Sequence, residues 1–190
     1  MAESFAYLSQ DEPGPETLAV IGVVPKRWGR MDRLSRLAVV EVGRVLRAAG
    51  LLGDEPEKVA VSGSGGLIGA GRYGSLATDL AFAATLAGGL SLASPTLFSY
   101  TLPNIALAEA ASHYGLTGPV YSLFSGDPAE AESEARRWLA EASGLDFMVA
   151  GCLDIVPAEA APALGGLAGT VVVNEIVTVN FQIVRPTCPM

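Results

Sequence analysis

Short apolar runs alternate with longer amphipathic stretches along this chain, and that alternation limits the possible folds more than any other feature. Residues 31–50 show it best, because their apolar side chains recur at helical spacing between an N-cap residue, Asp32, and a terminating glycine, Gly50. The apolar runs between helices are continuous, which is typical of strands buried on both faces. We therefore predict an α/β fold with a mostly parallel sheet and helices on both faces.

The same patterns place each element along the chain. We predict strands at 17–24, 57–66, 118–124 and 145–154, with one or two more inside 169–184. We predict helices at 31–50, 72–87, 105–114 and 128–142. Residues 1–16 are expected to form an N-terminal tail and residues 17–190 a single domain, since 190 residues are too few for two ordinary domains.

The charge balance excludes several classes of function. The formal net charge is −8, so the phosphates of a nucleic acid would be repelled. One basic cluster is expected to be a solvated helix face, and it comprises Arg30, Arg33, Arg36, Arg44 and Arg47. No apolar stretch is uninterrupted enough to span a bilayer, and the acidic N-terminus lacks the features of a signal peptide. We expect a soluble, cytoplasmic protein.

The cysteines and glycines are expected to have structural roles. Cys152 and Cys188 lie far apart and outside any metal-ligand spacing, so neither a disulfide framework nor a zinc site is predicted. The glycine-rich stretch 61–74 follows an apolar run. However, the acidic residue that a dinucleotide site needs after its second strand is missing, as is the Lys-Ser/Thr pair of a phosphate loop. We predict a packed strand-to-helix crossing there, with no bound cofactor or metal.

Four segments that follow one another in a fixed order resemble a known family. They are "RMDRLSRLA", "VAVSGSGG", "SPTLFSYTLPNIALAEAASHYGLTGP" and "DFMVAGCLD", and the similar region runs from about residue 18 to residue 156. In this order they resemble the N-terminal half of the β-ketoacyl synthases. The resemblance implies the thiolase-like fold, in which a five-stranded mixed sheet lies between helices and the unit is normally made twice. This chain matches one such half.

The resemblance also indicates where a nucleophile would lie. In the family, the strand after "GP" ends in a turn that carries the nucleophilic cysteine at the start of a helix. The matching positions here are Gly126 and Asp127, next to Ser125, so the cysteine is missing. Asp127 instead has the sequence context of a helix cap, with a proline after it and Glu130 where a capping box needs it. Cys152 comes too late in the chain and is expected to be a small buried strand residue.

Groups for acid–base catalysis are scarce as well. Decarboxylative condensation in the family needs two histidines from the C-terminal half, whereas this chain has one histidine, His113. Three functions stay open. They are a non-catalytic subunit that acts by association in a fatty-acid or polyketide-type pathway, an acyl-transfer enzyme that uses Ser125, and a scaffold or small-ligand-binding protein outside lipid metabolism. The missing groups favour the first.

Two surfaces follow from the resemblance. Residues expected to help form an acyl pocket are Leu97, Phe98, Tyr100 and Leu102. Residues expected at an edge of the sheet, paired with a second subunit, are Val120, Tyr121, Ser122, Leu123 and Phe124. None of these five is charged or a proline, so nothing in them discourages pairing. The expected partner is a second copy or a complete ketosynthase, with an acyl carrier protein as a further candidate.

Overall fold

The structure, a computed structural model, describes residues 2–53, 59–142, 144–165, 169–172 and 174–186. The helices of this part are α1 (Pro15–Ile21), α2 (Arg33–Ala48), α3 (Leu76–Thr85), α4 (Pro95–Ser99), α5 (Ile105–Tyr114) and α6 (Pro128–Glu141). The strands are β1 (Gly65–Ala70), β2 (Val120–Leu123), β3 (Phe147–Pro157), β4 (Thr170–Val172) and β5 (Glu175–Val184). Short 3-10 helices occur at Ala2–Ser9, Trp28–Arg30, Leu86–Gly88, Leu90–Leu92 and Ala161–Leu164.

The five strands form one sheet in the order β2-β1-β3-β5-β4. β1 is parallel to β2 and β3, whereas β5 is antiparallel to β3 and β4. The predicted α/β fold with a five-stranded sheet is confirmed, but the sheet is mixed rather than mostly parallel. The last strands explain this, because β4 and β5 are separated by a connection of hairpin length. Between β3 and β5, no α-helix of the described residues brings the chain back for a parallel crossover.

Two predicted strands are wrong. The run 17–24 lies mostly in helix α1, where Pro15 occupies the first turn and Thr17 and Ile21, four residues apart, are both buried. A short apolar run does not by itself distinguish a strand from a buried helix, and the proline at the start decides it here. The strand predicted at 57–66 is instead β1, which begins where that prediction ends.

Gly65 and Gly66 explain the second difference, because the sequence pattern predicts that they end a strand, whereas they begin β1. A Cβ on Gly66 would lie 2.7 Å from the carbonyl oxygen of Pro119, and a Cβ on Gly65 would overlap the ring of Phe147. The neighbouring chain segments approach β1 too closely for side chains at these positions. Glycine inside a strand is typical of such close approach.

Most other elements agree with the sequence-based predictions. Asp32 caps α2 as predicted, accepting a hydrogen bond from the backbone N–H of Ser35 at 2.9 Å. Helix α5 ends at Gly115, which adopts the left-handed conformation with φ +68°. The predicted strands at 118–124 and 145–154, and the helix at 128–142, match β2, β3 and α6 closely. The tail region holds β4 and β5, as predicted.

The first residues pack against α2, although a tail is expected there from the sequence. Tyr7 and Leu8 are 2% and 1% exposed, and the Tyr7 hydroxyl donates to the Glu41 carboxylate at 2.8 Å. Two apolar side chains and one hydrogen bond therefore anchor this segment to the core.

Arg36 also holds this segment and departs from the predicted solvated face, whereas Arg30, Arg33 and Arg44 are exposed as predicted. Its guanidinium group is buried, with the residue 7% exposed, and donates to the carbonyl oxygens of Leu8, Gln10 and Trp28. Arg47 is partly buried and donates to a backbone carbonyl of α1. These two arginines bind backbone, because the carbonyls at the ends of the N-terminal segments need donors.

Helices cover both faces of the sheet, as predicted. On one face α2 and α5 pack over β1 and β3 in a cluster that includes the fully buried Leu37, Leu107 and Phe147. On the other face α6 packs over β1 and β3 through the fully buried Ala131 and Ala135.

The outward side of α6 carries ion pairs. Arg136 pairs with Glu132 one turn away, and Arg137 pairs with Glu134. Charged pairs at this spacing suit a helix face in contact with water. Among the described residues, no helix is long and apolar enough to cross a membrane.

The antiparallel pairing of β3 with β5 depends on a glycine, and this can be tested. Gly151 lies opposite Phe181, and a Cβ at Gly151 would overlap the backbone of Asn180 and lie 2.6 Å from the Cα of Phe181. We expect Gly151→Ala to lower the free energy of unfolding by at least about 1–3 kcal/mol, because backbone cannot move aside as a side chain can. Urea denaturation measures the change.

The matched control is Gly53→Ala, since a Cβ at Gly53 meets nothing within 4 Å. Its urea midpoint should stay near that of the unchanged protein. Equal midpoints for Gly151→Ala and Gly53→Ala would contradict the β3–β5 register.

Candidate functional site

The turn between β2 and α6 is where the sequence places a possible nucleophile. Its Asp127 carboxylate accepts a hydrogen bond from the backbone N–H of Ala129 at 2.9 Å, and its backbone N–H donates to the Ser125 hydroxyl at 3.2 Å. Asp127 therefore caps α6, as its sequence context predicts. The backbone N–H of Glu130 donates to the carbonyl of Asp127, which closes the first turn of the helix.

Gly126 has a conformation and surroundings that leave no place for a side chain. Its φ is +67°, and a Cβ there would lie 2.8 Å from the Cβ of Arg72. An L-residue such as cysteine would be strained at this φ and would also require the loop that carries Arg72 to move. Asp127, the other matching position, is exposed, and its carboxylate caps helix α6.

Ser125 is the alternative nucleophile, and its surroundings do not activate it. Among the described residues, its hydroxyl oxygen has one hydrogen bond, with the backbone N–H of Asp127. A serine nucleophile needs a base within hydrogen-bond reach to take its proton. The histidine of this chain, His113, instead hydrogen-bonds through Nε2 to the carbonyl of Ile21 at 3.0 Å.

His113 lies in a different part of the molecule. It lines a groove of about 610 Å³ between α5 and the segment after α1, and no described residue of the β2–α6 turn lines that groove. Burial lowers the pKa of the imidazole, so the ring is neutral at pH 7. The structure therefore does not bring Ser125 and His113 together.

The glycine-rich loop after β1 is filled by a carboxylate. Gly69–Gly74 has the spacing G-x-G-x-x-G of a dinucleotide-binding loop. The backbone N–H groups of Arg72, Tyr73 and Gly74 donate to the Asp154 carboxylate at 2.8, 3.0 and 3.2 Å. Asp154 therefore occupies the position where such a loop could hold a phosphate, which supports the prediction of a packed crossing.

Asp154 is the residue of this region that sequence reasoning misses. It stands near the end of the apolar strand β3 and is 7% exposed. The available signal was an acidic residue inside an otherwise apolar run, since a buried carboxylate needs hydrogen-bond donors close by. Burial raises its pKa, although the three N–H donors act in the opposite direction.

Cys152 lies two residues before Asp154 on β3 and is 5% exposed. Burial first, and then the nearby Asp154 carboxylate, raise the pKa of its thiol. A thiol in this environment is protonated at neutral pH and is a poor nucleophile. Cys188 lies outside the described residues.

The structure places the four acyl-pocket candidates in different surroundings. Leu97 lines a cavity of about 460 Å³ beside α2 and α3. Phe98 and Leu102 are each 62% exposed, and Tyr100 is buried with its hydroxyl 3.2 Å from Glu109. Other exposed apolar side chains of this region are Leu80, Leu90 and Leu92. The segment from α3 to α4 thus presents an apolar surface.

Strand β2 lies at one end of the described sheet, with β1 as its neighbour. The carbonyl oxygen of Pro119 accepts a hydrogen bond from the backbone N–H of Leu67 on β1 at 2.8 Å. The carbonyl oxygen of Leu123 accepts one from Gly71, the residue after β1, at 2.9 Å. The bonds to β1 therefore use alternate residues of this segment. In a strand, the backbone groups of intervening residues point the other way. The backbone of Val120 and Ser122 therefore faces away from β1.

Tyr121 connects β2 to α6. Its hydroxyl donates to the Glu134 carboxylate and accepts from Trp138 Nε1 at 2.7 Å, while Arg137 pairs with the same carboxylate. Tyr121 therefore points towards α6, whereas Phe124, at the end of the strand, is 71% exposed. Of the residues predicted at the sheet edge, Val120 and Ser122 direct their backbone groups to the open edge, whereas the Tyr121 side chain contacts α6.

We expect the pKa values of two carboxyl groups of this region to be shifted in opposite directions by folding. The pKa of Asp154 is raised above its ordinary 3.8 by burial. As the pH falls through that raised pKa, the folded chain binds a proton that the unfolded chain does not yet bind. Acidification down to about 3.8 therefore adds stability through this group.

The pKa of Glu134 is instead lowered to about 2 by hydrogen bonds from Arg137 and Tyr121. The stability that Glu134 contributes is present above pH 4.5 and is lost as the pH falls from 4.5 towards 2. Carboxyl carbon shifts measured by NMR during a pH titration check both groups. An Asp154 midpoint below 3.8, or a Glu134 midpoint above 4.5, would contradict these environments.

Comparison with known proteins identifies one family. The model of "Beta-ketoacyl synthase, N-terminal domain" matches residues 16–129, more than half of the chain. The comparison with curated proteins finds no match.

Solved ketosynthase structures have a similar fold. "The ishigamide ketosynthase/chain length factor" has a TM-score of 0.62 and 21% identity, covering 90% of this chain and 48% of that chain. A type II PKS acyl-carrier protein in complex with its ketosynthase has a TM-score of 0.57 and 17% identity, with 74% and 36% covered. A β-ketoacyl synthase from Burkholderia phymatum STM815 has a TM-score of 0.51 and 19% identity, with 76% and 35% covered.

This chain therefore spans about half, or less, of the length of these proteins. At such low identities the likeness establishes the fold. Together with the family model that matches more than half of its length, it shows that the chain belongs to the β-ketoacyl synthase family, in which it corresponds to the N-terminal domain.

Proposed function

We propose that this chain is a non-catalytic β-ketoacyl-synthase-like subunit that acts by association in polyketide-type biosynthesis. The observation that carries the proposal is Gly126, where the backbone conformation and the nearby Arg72 exclude the side chain of a nucleophile. Ser125 has no base at hand among the described residues, and the Cys152 thiol is buried with a raised pKa. The described residues thus keep the fold, while neither Ser125 nor Cys152 is placed to act as a nucleophile.

The pathway class is supported by the similar structures. Their titles name a ketosynthase/chain length factor and a type II PKS acyl-carrier protein in complex with its ketosynthase. Both describe assemblies in which a ketosynthase fold works beside another component. We extend this to the present chain, whose partner would be a second copy or a ketosynthase-type subunit.

The proposed contact is the free edge of β2. Val120 and Ser122 direct backbone N–H and C=O groups away from β1, and an edge of this kind pairs readily with another strand. Phe124 follows the strand, is 71% exposed and lies near Gly74, since a Cβ on Gly74 would lie 3.5 Å from its ring. The edge therefore ends in an exposed apolar side chain that a partner strand could cover.

Chemical inertness is the first expected outcome. Incubation with octanoyl-coenzyme A should leave the intact mass of the protein unchanged, because neither the Ser125 hydroxyl nor the Cys152 thiol is activated. Intact-mass spectrometry measures this, with a complete ketosynthase under the same conditions as the positive control. An added octanoyl mass that disappears in Ser125→Ala would instead establish an acyl-transfer enzyme.

Association through the β2 edge is the second expected outcome. At tens of micromolar the protein should sediment as a dimer, and Ser122→Pro should weaken the dimer by about tenfold. The proline removes the outward N–H of residue 122 from both copies while the ladder to β1 stays intact. Analytical ultracentrifugation gives the dissociation constants.

The matched control is Ser122→Ala, which keeps the backbone N–H and should dimerise as the unchanged protein does. A monomer at these concentrations would contradict self-association. Dimerisation that Ser122→Pro leaves unchanged would contradict the β2 edge as the interface.

A further inference from the structure

We propose that the cavity beside α2 and α3 binds a small uncharged amphipathic ligand, with its apolar body inside and its polar group at the rim. The cavity measures about 460 Å³, which lies within the range of small-molecule sites. It is formed by the start of α2, the N-terminal half of α3 and the segment that precedes α1. The following observations determine the ligand class.

None of the described residues of the β2–α6 turn lines this cavity, although Gly74 of the glycine loop does. Gly74 and Ser75, just beyond the carboxyl end of β1, line it, as does Ile155 near the carboxyl end of β3. Ligands of open α/β sheets bind beyond the carboxyl ends of strands. Among the described residues of the nucleophile turn and the acyl-pocket candidates, only Leu97 lines this cavity.

Apolar side chains form about half of its described wall, and polar or charged side chains form most of the rest. The apolar side chains that line it are Leu8, Met31, Leu34, Ala77, Ala81, Leu97 and Ile155. They come from separate elements, so the apolar wall surrounds a volume rather than forming a flat patch. Such a wall favours a ligand with an apolar body.

Two charged side chains of the wall are paired with each other. The Arg33 guanidinium lies 2.7 Å from the Glu175 carboxylate, which connects the start of α2 to the start of β5. A ligand that carried a charge would have to break this pair to find a counter-charge. Removing one partner from such a pair leaves the other charge unpaired.

The two other charged side chains of the described wall are also occupied. Asp32 accepts from the Ser35 N–H at 2.9 Å with one oxygen and from the Thr78 hydroxyl at 2.7 Å with the other. Arg36 donates to three backbone carbonyls and lies over the ring of Trp28, 5.5 Å from its centroid. Their charges are of opposite sign, as are those of Arg33 and Glu175, so the described wall carries no net charge for a ligand to balance.

The charge arrangement therefore selects a neutral ligand. A carboxylate or an ammonium group would lose its hydration in the cavity without gaining an unpaired counter-charge. A neutral hydroxyl or amide can bond at the rim, where the exposed Ser9 hydroxyl accepts a long 3.4 Å bond from Arg33 and keeps its own proton to donate. An aliphatic alcohol is the simplest probe of this class.

The experiment compares three probes that share one chain and differ in charge. They are 1-octanol, octanoate and octylamine, titrated separately into the full chain while methyl resonances are followed by NMR. We expect saturable shifts with 1-octanol at the Ala77, Ala81 and Leu97 methyl groups. Octanoate and octylamine should bind at least about tenfold more weakly.

Two variants of one helix show whether the probe occupies the cavity. Ala81 lines the cavity and Ala83 does not, and both are exposed on α3. Ala81→Trp should weaken octanol binding at least about tenfold by filling the space, whereas Ala83→Trp should leave it unchanged. Far-UV circular dichroism confirms that both variants are folded.

Three results would overturn the proposal. They are no saturable octanol binding, binding of octanoate or octylamine as tight as that of octanol, and equal loss in the Ala81→Trp and Ala83→Trp variants. The measurement needs no partner and no acyl transfer, so its outcome is independent of the subunit function proposed above.

Discussion

One buried carboxylate determines how the functional parts of this chain are placed. Asp154, on β3, accepts three backbone N–H groups from residues 72–74 and so holds the loop that follows β1. That loop meets the β2–α6 turn at one end, where Arg72 lies against Gly126. At its other end, Gly74 lines the cavity beside α2 and lies near Phe124 at the sheet edge. The turn, the cavity and the edge therefore all border a loop with one common anchor.

The same anchor explains why the glycine loop of this chain is not open to a phosphate. A glycine loop with free N–H groups can hold a phosphate, but here an internal carboxylate already satisfies them. The turn where an acyl-transfer nucleophile could lie instead has a glycine with left-handed φ and an aspartate that caps a helix. The described residues also present a strand edge, exposed apolar side chains between α3 and α4, and a cavity with the Arg33–Glu175 ion pair in its wall.

Local signals predicted much of the fold. Asp32 and Asp127 were predicted as helix caps from residue type and spacing alone, because a cap is formed within a few residues of the helix that it ends. The strand at 17–24 failed for the opposite reason, since a short apolar run fits a buried helix equally well and the packing of Thr17 and Ile21 decides. The glycines at the start of β1 resemble a strand end in sequence. They are needed there because the Phe147 ring and the Pro119 carbonyl oxygen approach too closely for a side chain. Those contacts come from other parts of the chain.

The sequence by itself determined the α/β fold class and the presence of Gly126 and Asp127 at the turn after β2, because these depend on which residues are present and in what order. Only the tertiary structure showed that Asp154 fills the glycine loop, that Arg72 closes the space at Gly126, and that Arg36 binds carbonyls instead of water. It also separated Leu97 from the exposed Phe98 and Leu102. Each of these facts joins residues far apart in the chain. Such pairs become neighbours only when the sheet and its covering helices have formed.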